Sequence, residues 1–412
     1  MKKKFFFFLC LFISLSVLKA ESSPLISFEK KFTFTKDSLQ KRWKEVKLPE
    51  QIIPIRYEVD LYEILYYSTY PDGSKTKVSG WALVPHYNKA MPLFSYNHGT
   101  QLKTKNMKMP GEIFFCMWYA TDGYVVLMTD YFGLGKGEKM HLYQHAESEA
   151  QASLDLIRAF RNMKTQISVE LNDQLFVAGY SQGGHAAMAT TRMMQEGFPK
   201  EFPVTASAPM SGAYDMIGKQ KDVMFKEYKY PFYLPYLLVS YQEAYHFYKG
   251  NILEIFNPPY DTVIQKALYN LDYTTRQFND LLPKTPKDML KPEFLQGFIS
   301  DTSFAFSQVL KKNSTYEWKP NCPMMLFYSE GDEQVNYESS LCAYNCMREK
   351  GAKNVKLRKV SKHFGHGTTY VFSLLYAKFW FDSFRHGSKN GNRGPLWKRA
   401  VVSVVKAKYK NK

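Results

Sequence analysis

The sequence predicts an α/β fold, in which a mostly parallel β-sheet is flanked by helices and a large helical insertion interrupts the sheet late in the chain. Short apolar runs alternate with segments of helical periodicity over much of the 412 residues, and a hairpin precedes this alternation. The alternation then stops between residues 213 and 320, where aromatic residues are dense. A composition of 45% hydrophobic and 16% aromatic residues excludes an intrinsically disordered chain.

The N-terminal segment has the layout of a secretory signal peptide. Lysines precede an apolar run from Phe5 to Ile13 that continues to Leu18, and Ala20 offers a cleavage position. The run is shorter than the roughly 20 residues of a spanning helix, so an uncleaved anchor is the weaker alternative. We therefore expect residues 1–20 to be removed and the protein to be secreted, as an extracellular or periplasmic protein without a transmembrane segment.

The first part of the core, residues 21–212, is predicted from its strands and helices in turn. Residues 55–68 and 77–85 are rich in β-forming residues and flank the turn sequence PDG, which is typical of a hairpin. More uniformly apolar runs, as expected of buried parallel strands, follow at 91–97, 124–130, 174–179 and 202–209. An amphipathic helix is indicated by the apolar residues Ala152, Leu156, Ala159, Phe160 and Met163.

The aromatic segment, residues 213–320, contains helix-like stretches broken by prolines. An insertion of this kind in an α/β sheet protein is typical of a cap or lid, so we predict one here. The second part of the core, residues 321–386, contains predicted strands at 324–329 and 355–360. Asn313 begins a glycosylation sequon, which matters only in a host that glycosylates.

The chain is strongly basic, with a formal net charge of +17 that becomes +13 without residues 1–20. Part of the excess lies in the C-terminal tail, residues 387–412, which contains no Asp or Glu. This tail could contact an anionic surface, although a solvated, frayed terminus is the favoured interpretation. Nothing else indicates nucleic-acid recognition, and we expect no nucleic-acid partner.

Cysteines and paired histidines raise the question of disulfides and metals. The mature chain would keep Cys116, Cys322, Cys342 and Cys346, an even number that permits disulfides in an exported protein. Cys342 and Cys346 lie one helical turn apart, which is poor geometry for bridging each other, so the pairing stays open. His141 and His145 have i, i+4 spacing, but they lack the nearby glutamate signature of a zinc site. We expect no metal.

The sequence LFVAGYSQGGHAA places a serine among glycines between a predicted strand and a predicted helix. GYSQG matches the Gly-x-Ser-x-Gly pattern of a nucleophile elbow, formed by Gly179, Tyr180 and Gly183 around Ser181. The glycines keep the neighbouring chain clear of a serine with strained backbone. The N-terminus of the next helix points at the serine, and the N–H of Gln182 can stabilise an oxyanion. Ser181 is therefore the predicted nucleophile, and a plain tight turn is the alternative.

A serine nucleophile needs a base and an orienting acid later in the chain. Asp332 lies just beyond the strand predicted at 324–329, and His363 and His366 lie beyond the last predicted strand. The order Ser, Asp, His is that of α/β hydrolases rather than of the two other serine-hydrolase orders. The sequence thus predicts a triad of Ser181, Asp332 and one of the two histidines.

We favour His366 over His363 because it directly precedes a helix and is followed by Gly367, which leaves room for its ring. His363 follows the strand more closely and would pack at the sheet edge. Glu330 and Glu333 compete with the aspartate, but both are more simply interpreted as solvated loop charges.

The second oxyanion donor should come from the loop after the strand at 91–97, which reads NHGTQ. Glycine in such a loop lets a backbone N–H face the substrate carbonyl. We assign His98, Gly99 and Thr100 to this loop and leave open which N–H donates. Asp130 ends an earlier strand and is expected to be structural, although it could instead shape the pocket.

The segments SYNHGT, TDYFGLG, AGYSQGGHAA and GDEQVNY, with a histidine fourteen residues before WF, together resemble the secretory lipase family, which includes the yeast lipase A type. The resemblance spans roughly residues 75–385. It implies an α/β-hydrolase fold with a large helical lid and a triad of Ser181, Asp332 and His366. Gln182 stands where some relatives have glycine.

These residues predict acyl transfer from an ester through an acyl-enzyme, with no metal or organic cofactor. The aromatic cap favours apolar acyl chains, so we expect a lipase or carboxylesterase that acts on ester or lipid substrates. The same fold also supports serine peptidases and aromatic-ester or polyester hydrolases. A non-catalytic secreted binding protein is the weaker alternative, because Ser, Asp and His are all present.

Overall fold

The structure is a computed structural model that describes residues 23–105 and 109–409, without the side chains of 408 and 409. The predicted signal peptide, residues 1–20, lies outside the described residues. Nine strands of the described chain form one sheet: β1 (Leu25–Phe34), β2 (Val59–Thr69), β3 (Lys75–Pro85), β4 (Met91–Asn97), β5 (Val125–Thr129), β6 (Leu171–Tyr180), β7 (Val204–Met210), β8 (Met324–Ser329) and β9 (Val355–Ser361).

Helices cover both faces of the sheet and fill the segment between β7 and β8. The α-helices are α1 (Lys36–Glu45), α2 (Ile113–Ala120), α3 (Ala146–Met163), α4 (Gln182–Gly197), α5 (Tyr233–Tyr245), α6 (Tyr260–Ile264), α7 (Thr275–Asp280), α8 (Pro292–Ser300), α9 (Ala305–Lys312), α10 (Glu338–Glu349), α11 (His366–Arg385) and α12 (Leu396–Tyr409). Short 3₁₀ turns lie at Lys221–Phe225, Ile252–Ile255 and Pro286–Met289, and a π-turn at Gln265–Tyr269.

The sheet order is β1-β2-β3-β5-β4-β6-β7-β8-β9. Antiparallel pairing joins β1, β2, β3 and β5, whereas β5, β4 and β6 to β9 pair in parallel. This arrangement confirms the predicted α/β class, and the predicted hairpin is the β2–β3 pair. Because parallel strands end at one edge, the loops after β4, β6, β8 and β9 meet there, and these loops carry the predicted site residues.

Alternate residues of the central strands enter apolar layers on opposite faces of the sheet. Phe94 and Phe176 pack in the layer that contains residues of α2 and α11, while Leu93 and Val177 pack in the layer that contains residues of α3 and α4. All four side chains are at most 3% exposed. Burial on both faces explains why these strands are uniformly apolar.

The segment between β7 and β8 has an apolar core of its own. Leu238 and Tyr241 of α5 pack there with Phe278 of α7 and Phe306 of α9. The segment ends beside the buried Asn313, whose side-chain oxygen accepts the Ala146 N–H at 2.9 Å. Because this asparagine is only 1% exposed, its sequon is not accessible to glycosylation in the folded chain.

One sequence expectation needs correction. The expected frayed C-terminus is instead helical from Leu396 to Tyr409, and Val402 of this helix is buried against the main core. The described cysteines, Cys116, Cys322, Cys342 and Cys346, are unpaired. No helix in the described ranges has the length and hydropathy needed to cross a bilayer.

Candidate active site

Ser181 occupies a strained turn between β6 and α4. Its φ of 61° and ψ of −122° lie in a region that non-glycine residues rarely adopt. A Cβ on Gly183 would lie 1.9 Å from the Asn97 carbonyl oxygen, and one on Gly179 would lie 2.1 Å from the Gly183 carbonyl oxygen. Glycine is therefore required at both positions for the chain to turn so tightly around the serine.

His366, the first residue of α11, lies against Asp332 in the loop after β8. Its Nδ1 is 2.8 Å from both carboxylate oxygens. The same carboxylate accepts the N–H groups of Gln334 and Val335 at 3.0 Å, and its side chain is only 2% exposed. An ionised carboxylate can only accept, so Nδ1 carries the proton and Nε2 is left as the basic nitrogen.

The competing residues are placed differently. His363 is exposed, and Glu330 forms a surface ion pair with Lys359 at 2.7 Å. Glu333 is exposed, but the interpretation of it as only a solvated charge is wrong, because its Oε2 accepts the His366 N–H at 2.8 Å. Glu333 therefore stabilises the N-terminus of α11, which carries the histidine.

Tyr180 joins the histidine to the elbow. Its hydroxyl donates to the His366 carbonyl oxygen at 2.6 Å, and the two rings lie 4.7 Å apart. Within the described residues the Ser181 hydroxyl has no hydrogen-bond partner. Asp332 is therefore bonded to His366, but His366 is not bonded to Ser181. Such bonds are often long in unliganded enzymes and shorten when substrate binds.

The loop after β4 lies beside the elbow. A Cβ on Gly99 would be 3.8 Å from Ser181 Cβ. The Gly99 N–H donates to Glu112 Oε2 at 2.9 Å and is thereby occupied. Among the described residues, no hydrogen-bond acceptor engages the N–H groups of Gln182 and Thr100. Both N–H groups are therefore free to bind an acceptor atom of another molecule.

His98 and Asp130 are both buried, but only His98 bonds to this loop. His98 Nδ1 bonds to the Gly99 carbonyl oxygen at 2.7 Å, and burial lowers the pKa of this histidine to about 4, so its ring is neutral. Asp130 accepts from Ser79 at 2.6 Å and from Trp81 at 2.9 Å, while burial raises its pKa to about 6. Asp130 is thus structural, as expected.

The chain is similar to known proteins in both sequence and structure. The secretory lipase family model matches residues 96–206, which run from the end of β4 through the elbow into β7. A crystal structure of the rice cell wall degrading esterase LipA from Xanthomonas oryzae superposes with a TM-score of 0.76 at 26% identity, covering 86% of this chain and 94% of that one. The predicted resemblance to the secretory lipase family is confirmed.

Two other solved structures share the fold of this chain. A Legionella pneumophila protein, classed provisionally as a hydrolase, has a TM-score of 0.80 at 28% identity, covering 88% of this chain and 99% of that one. Closed Candida antarctica lipase A shares the fold with a TM-score of 0.66 at 16% identity, covering 87% and 81%. No curated protein matches the sequence. The family match and the similarity to the Xanthomonas oryzae esterase support a carboxylic ester hydrolase, and the structural neighbours share its α/β-hydrolase fold.

Behind the elbow lies a buried polar network that the sequence did not reveal. The Gln182 side chain donates to Glu149 Oε1 at 2.8 Å and to His141 Nε2 at 3.0 Å. His185 Nδ1 lies 2.7 Å from Glu149 Oε2, and its Nε2 lies 2.8 Å from the Asn313 carbonyl oxygen. Both ring nitrogens of His185 are thus within hydrogen-bond distance of buried acceptor oxygens, one on Glu149 and one on the backbone.

The two histidines considered for zinc bond to different backbone groups. His141 Nδ1 bonds to the Phe132 carbonyl oxygen at 3.0 Å, whereas His145 Nδ1 accepts the Ser148 N–H at 3.1 Å at the start of α3. Burial lowers the pKa of each histidine to about 3. Across the described chain, no three His, Cys, Asp or Glu side chains are grouped as a metal site requires.

Glu112 is the second feature that the sequence did not reveal. Besides holding the Gly99 N–H, it lies 3.4 Å from the Tyr96 hydroxyl, and burial raises its pKa to about 7. A hydrogen bond of 3.2 Å continues from Tyr96 to Tyr370, whose ring packs 4.9 Å from that of Tyr180. A charged residue directly before the apolar sequence IFFCMWYA is the signal that could have indicated it.

Proposed function

We propose that the chain is a secreted serine hydrolase that cleaves carboxylic esters through Ser181, His366 and Asp332. The observation that carries the proposal is the buried contact of His366 Nδ1 with both oxygens of Asp332 at 2.8 Å, beside a serine at a strained turn. This contact fixes the tautomer that leaves Nε2 basic, which is the arrangement that general-base activation of a serine requires.

In the proposed reaction, His366 Nε2 takes the Ser181 hydroxyl proton as the serine oxygen attacks the ester carbonyl. The oxyanion is held by the N–H groups of Gln182 and Thr100, which have no other acceptor among the described residues. The imidazolium, stabilised by Asp332, then protonates the departing alcohol. Water attacks the acyl-enzyme by the same route and releases the carboxylic acid.

The proposed acyl site lies under the predicted cap, residues 213–320. A cavity of about 80 Å³ is lined mainly by apolar and aromatic side chains, among them Met216, Met224 and Phe298. Its wall includes Tyr143, whose hydroxyl accepts from Thr100 Oγ1 at 3.4 Å on the oxyanion loop. An apolar cavity next to the oxyanion loop suits the acyl chain of a lipase or carboxylesterase substrate.

A fluorophosphonate probe, which reacts with activated serines, tests the nucleophile. We expect it to label the wild type and not Ser181→Ala. His366→Gln and Asp332→Asn should lower the rate of ester hydrolysis by about 10³-fold or more, while the neighbouring controls His363→Gln and Glu330→Gln retain it. Absence of labelling in the folded wild type would reject the hydrolase, and labelling of Ser181→Ala would reject this nucleophile.

Substrate class is tested with p-nitrophenyl esters of graded acyl length, an emulsified triacylglycerol and an acylated plant cell-wall preparation. We expect hydrolysis of apolar acyl esters. Activity on emulsion would identify a lipase, and restriction to short soluble esters would identify a carboxylesterase. Preference for the cell-wall preparation would instead align the chain with the Xanthomonas oryzae esterase.

A further inference from the structure

The C-terminal helix α12 presents an unusual distribution of side chains. Its inward face carries cations on either side of the buried Val402: the Lys398 ammonium donates to the Ile52 carbonyl oxygen at 3.2 Å, and the Lys406 ammonium donates to that of Val360. These three residues are spaced four apart and lie on one face of the helix. Most of the remaining apolar side chains of α12 therefore face away from the protein.

The outward face is an apolar stripe, consisting of Leu396, Trp397, Val401, Val404 and Val405. Trp397 is 51% exposed and Val404 is 62% exposed. These five residues are over a third of the 14 exposed large hydrophobic side chains in the described ranges. Isolated exposed apolar residues are common, but a cluster on one helix marks an interaction surface.

The positive charge around α12 indicates which class of partner the stripe would bind. Residues 386–412 contain eight Lys and Arg residues and no Asp or Glu. At the N-terminal end of α12, a groove of about 980 Å³ is lined by Arg56, Arg385 and Lys398, and the carboxylate of Asp122 in its wall is already bonded to Arg56 at 2.7 Å. Asp382, the other acid in the groove wall, is bonded to Lys378 at 2.9 Å. An apolar stripe with an exposed tryptophan, in a C-terminal segment that carries cations and no acids, is the pattern of a helix that lies in an anionic lipid interface.

We propose that α12 docks the protein on an anionic lipid bilayer, with its apolar stripe in the headgroup region and the surrounding cations on the lipid phosphates. The C-terminal part of the helix contacts the loop before α11, since Lys406 lies 5.7 Å from the centre of the Phe364 ring. Docking would thus occur beside the segment that leads into His366, the proposed base. The proposal goes beyond ester hydrolysis and holds whether or not Ser181 is the nucleophile.

Trp397 provides a direct probe, because the other five tryptophans of the chain are at most 8% exposed. Ser181→Ala protein, which would not hydrolyse the lipid, is mixed with phosphatidylcholine vesicles containing about 30 mol% phosphatidylglycerol. We expect sedimentation with these vesicles, quenching of tryptophan fluorescence by brominated lipid, and binding at least about tenfold weaker to pure phosphatidylcholine.

The stripe is tested by Val401→Ser with Val404→Ser, which keeps the tryptophan probe. In the Ser181→Ala background we expect the double change to weaken vesicle binding about tenfold and to leave the unfolding midpoint unchanged. In protein that keeps Ser181, the same double change should leave hydrolysis of a soluble ester unchanged. Phe32→Ser, which alters a 58% exposed residue on β1, is the matched control and should bind as before. Vesicle binding that survives the double change overturns the proposal. A second outcome would also overturn it: the protein binds no vesicles, light scattering shows a dimer, and the double change dissociates that dimer. The stripe would then be covered by a second copy of the chain.

Discussion

At the scale of single residues, Glu112 shows how a buried carboxyl can act on a site without touching the reacting atoms. It accepts the Gly99 N–H at 2.9 Å and thereby fixes the loop whose next residue, Thr100, offers a free N–H. We expect Glu112→Gln to retain most activity, because the amide oxygen can still accept. Glu112→Leu should lower kcat by about tenfold with little change in KM, because the Gly99 N–H loses its acceptor. Equal kcat values for the two variants in steady-state assays would contradict this role.

The same residue predicts a pH dependence of stability. Burial raises the pKa of Glu112 from its ordinary 4.5 to about 7 in the folded chain. Between these values the folded state binds a proton that the unfolded state releases, so this stabilising contribution is complete below pH 4.5 and is lost as pH rises through 7. Between pH 5 and 8, the free energy of unfolding should fall by about 3 kcal/mol more in the wild type than in Glu112→Gln. Urea unfolding at both pH values measures the difference.

At the scale of elements, the elbow depends on the start of α4 packing so closely against the end of β4 that no side chain fits between their backbones. Gly183→Ala places a Cβ 1.9 Å from the Asn97 carbonyl oxygen, so the chain must shift. We expect a loss of about 2 to 4 kcal/mol in the free energy of unfolding, together with loss of activity. Gly197→Ala, at the other end of α4, meets nothing within 4 Å and should leave both nearly unchanged. Similar unfolding midpoints for the two variants would contradict the packing argument.

Strands that are buried on both faces were predictable from the sequence. The strands predicted at 91–97 and 324–329 coincide with β4 and β8, because short, uniformly apolar runs of this length are typical of buried parallel strands. The edge strand β1 was missed, since only Leu25, Phe28, Lys31 and Phe34 are even partly buried in its sequence LISFEKKFTF. This segment is held as a strand by its pairing with β2, a long-range contact that local periodicity does not encode.

At the scale of the whole molecule, the candidate site combines residues that are distant in sequence. Ser181, Asp332 and His366 were predictable because each follows a strand in the order that this fold uses. Glu112 and Glu149 were not, since the contacts that distinguish them from surface carboxylates are made to residues 13 and 36 positions away. Local sequence indicates which loops face the site, whereas the supporting polar contacts require the assembled fold.

The same long-range assembly predicts that the segment over the sheet helps to orient the acid. The Tyr228 hydroxyl donates to the Gln334 carbonyl oxygen, the Tyr233 hydroxyl donates to the Gln334 side chain at 2.9 Å, and the Gln334 N–H donates to Asp332 at 3.0 Å. Changing both tyrosines to phenylalanine removes two hydrogen bonds of about 1 kcal/mol each while keeping the rings that line the cavity. We therefore expect kcat for a soluble ester to fall by about tenfold, with a small change in KM. Tyr230→Phe is the matched control, since its hydroxyl bonds to no other described residue, and it should behave as wild type. A double variant with wild-type kcat would show that the acid loop holds Asp332 without help from the helical segment.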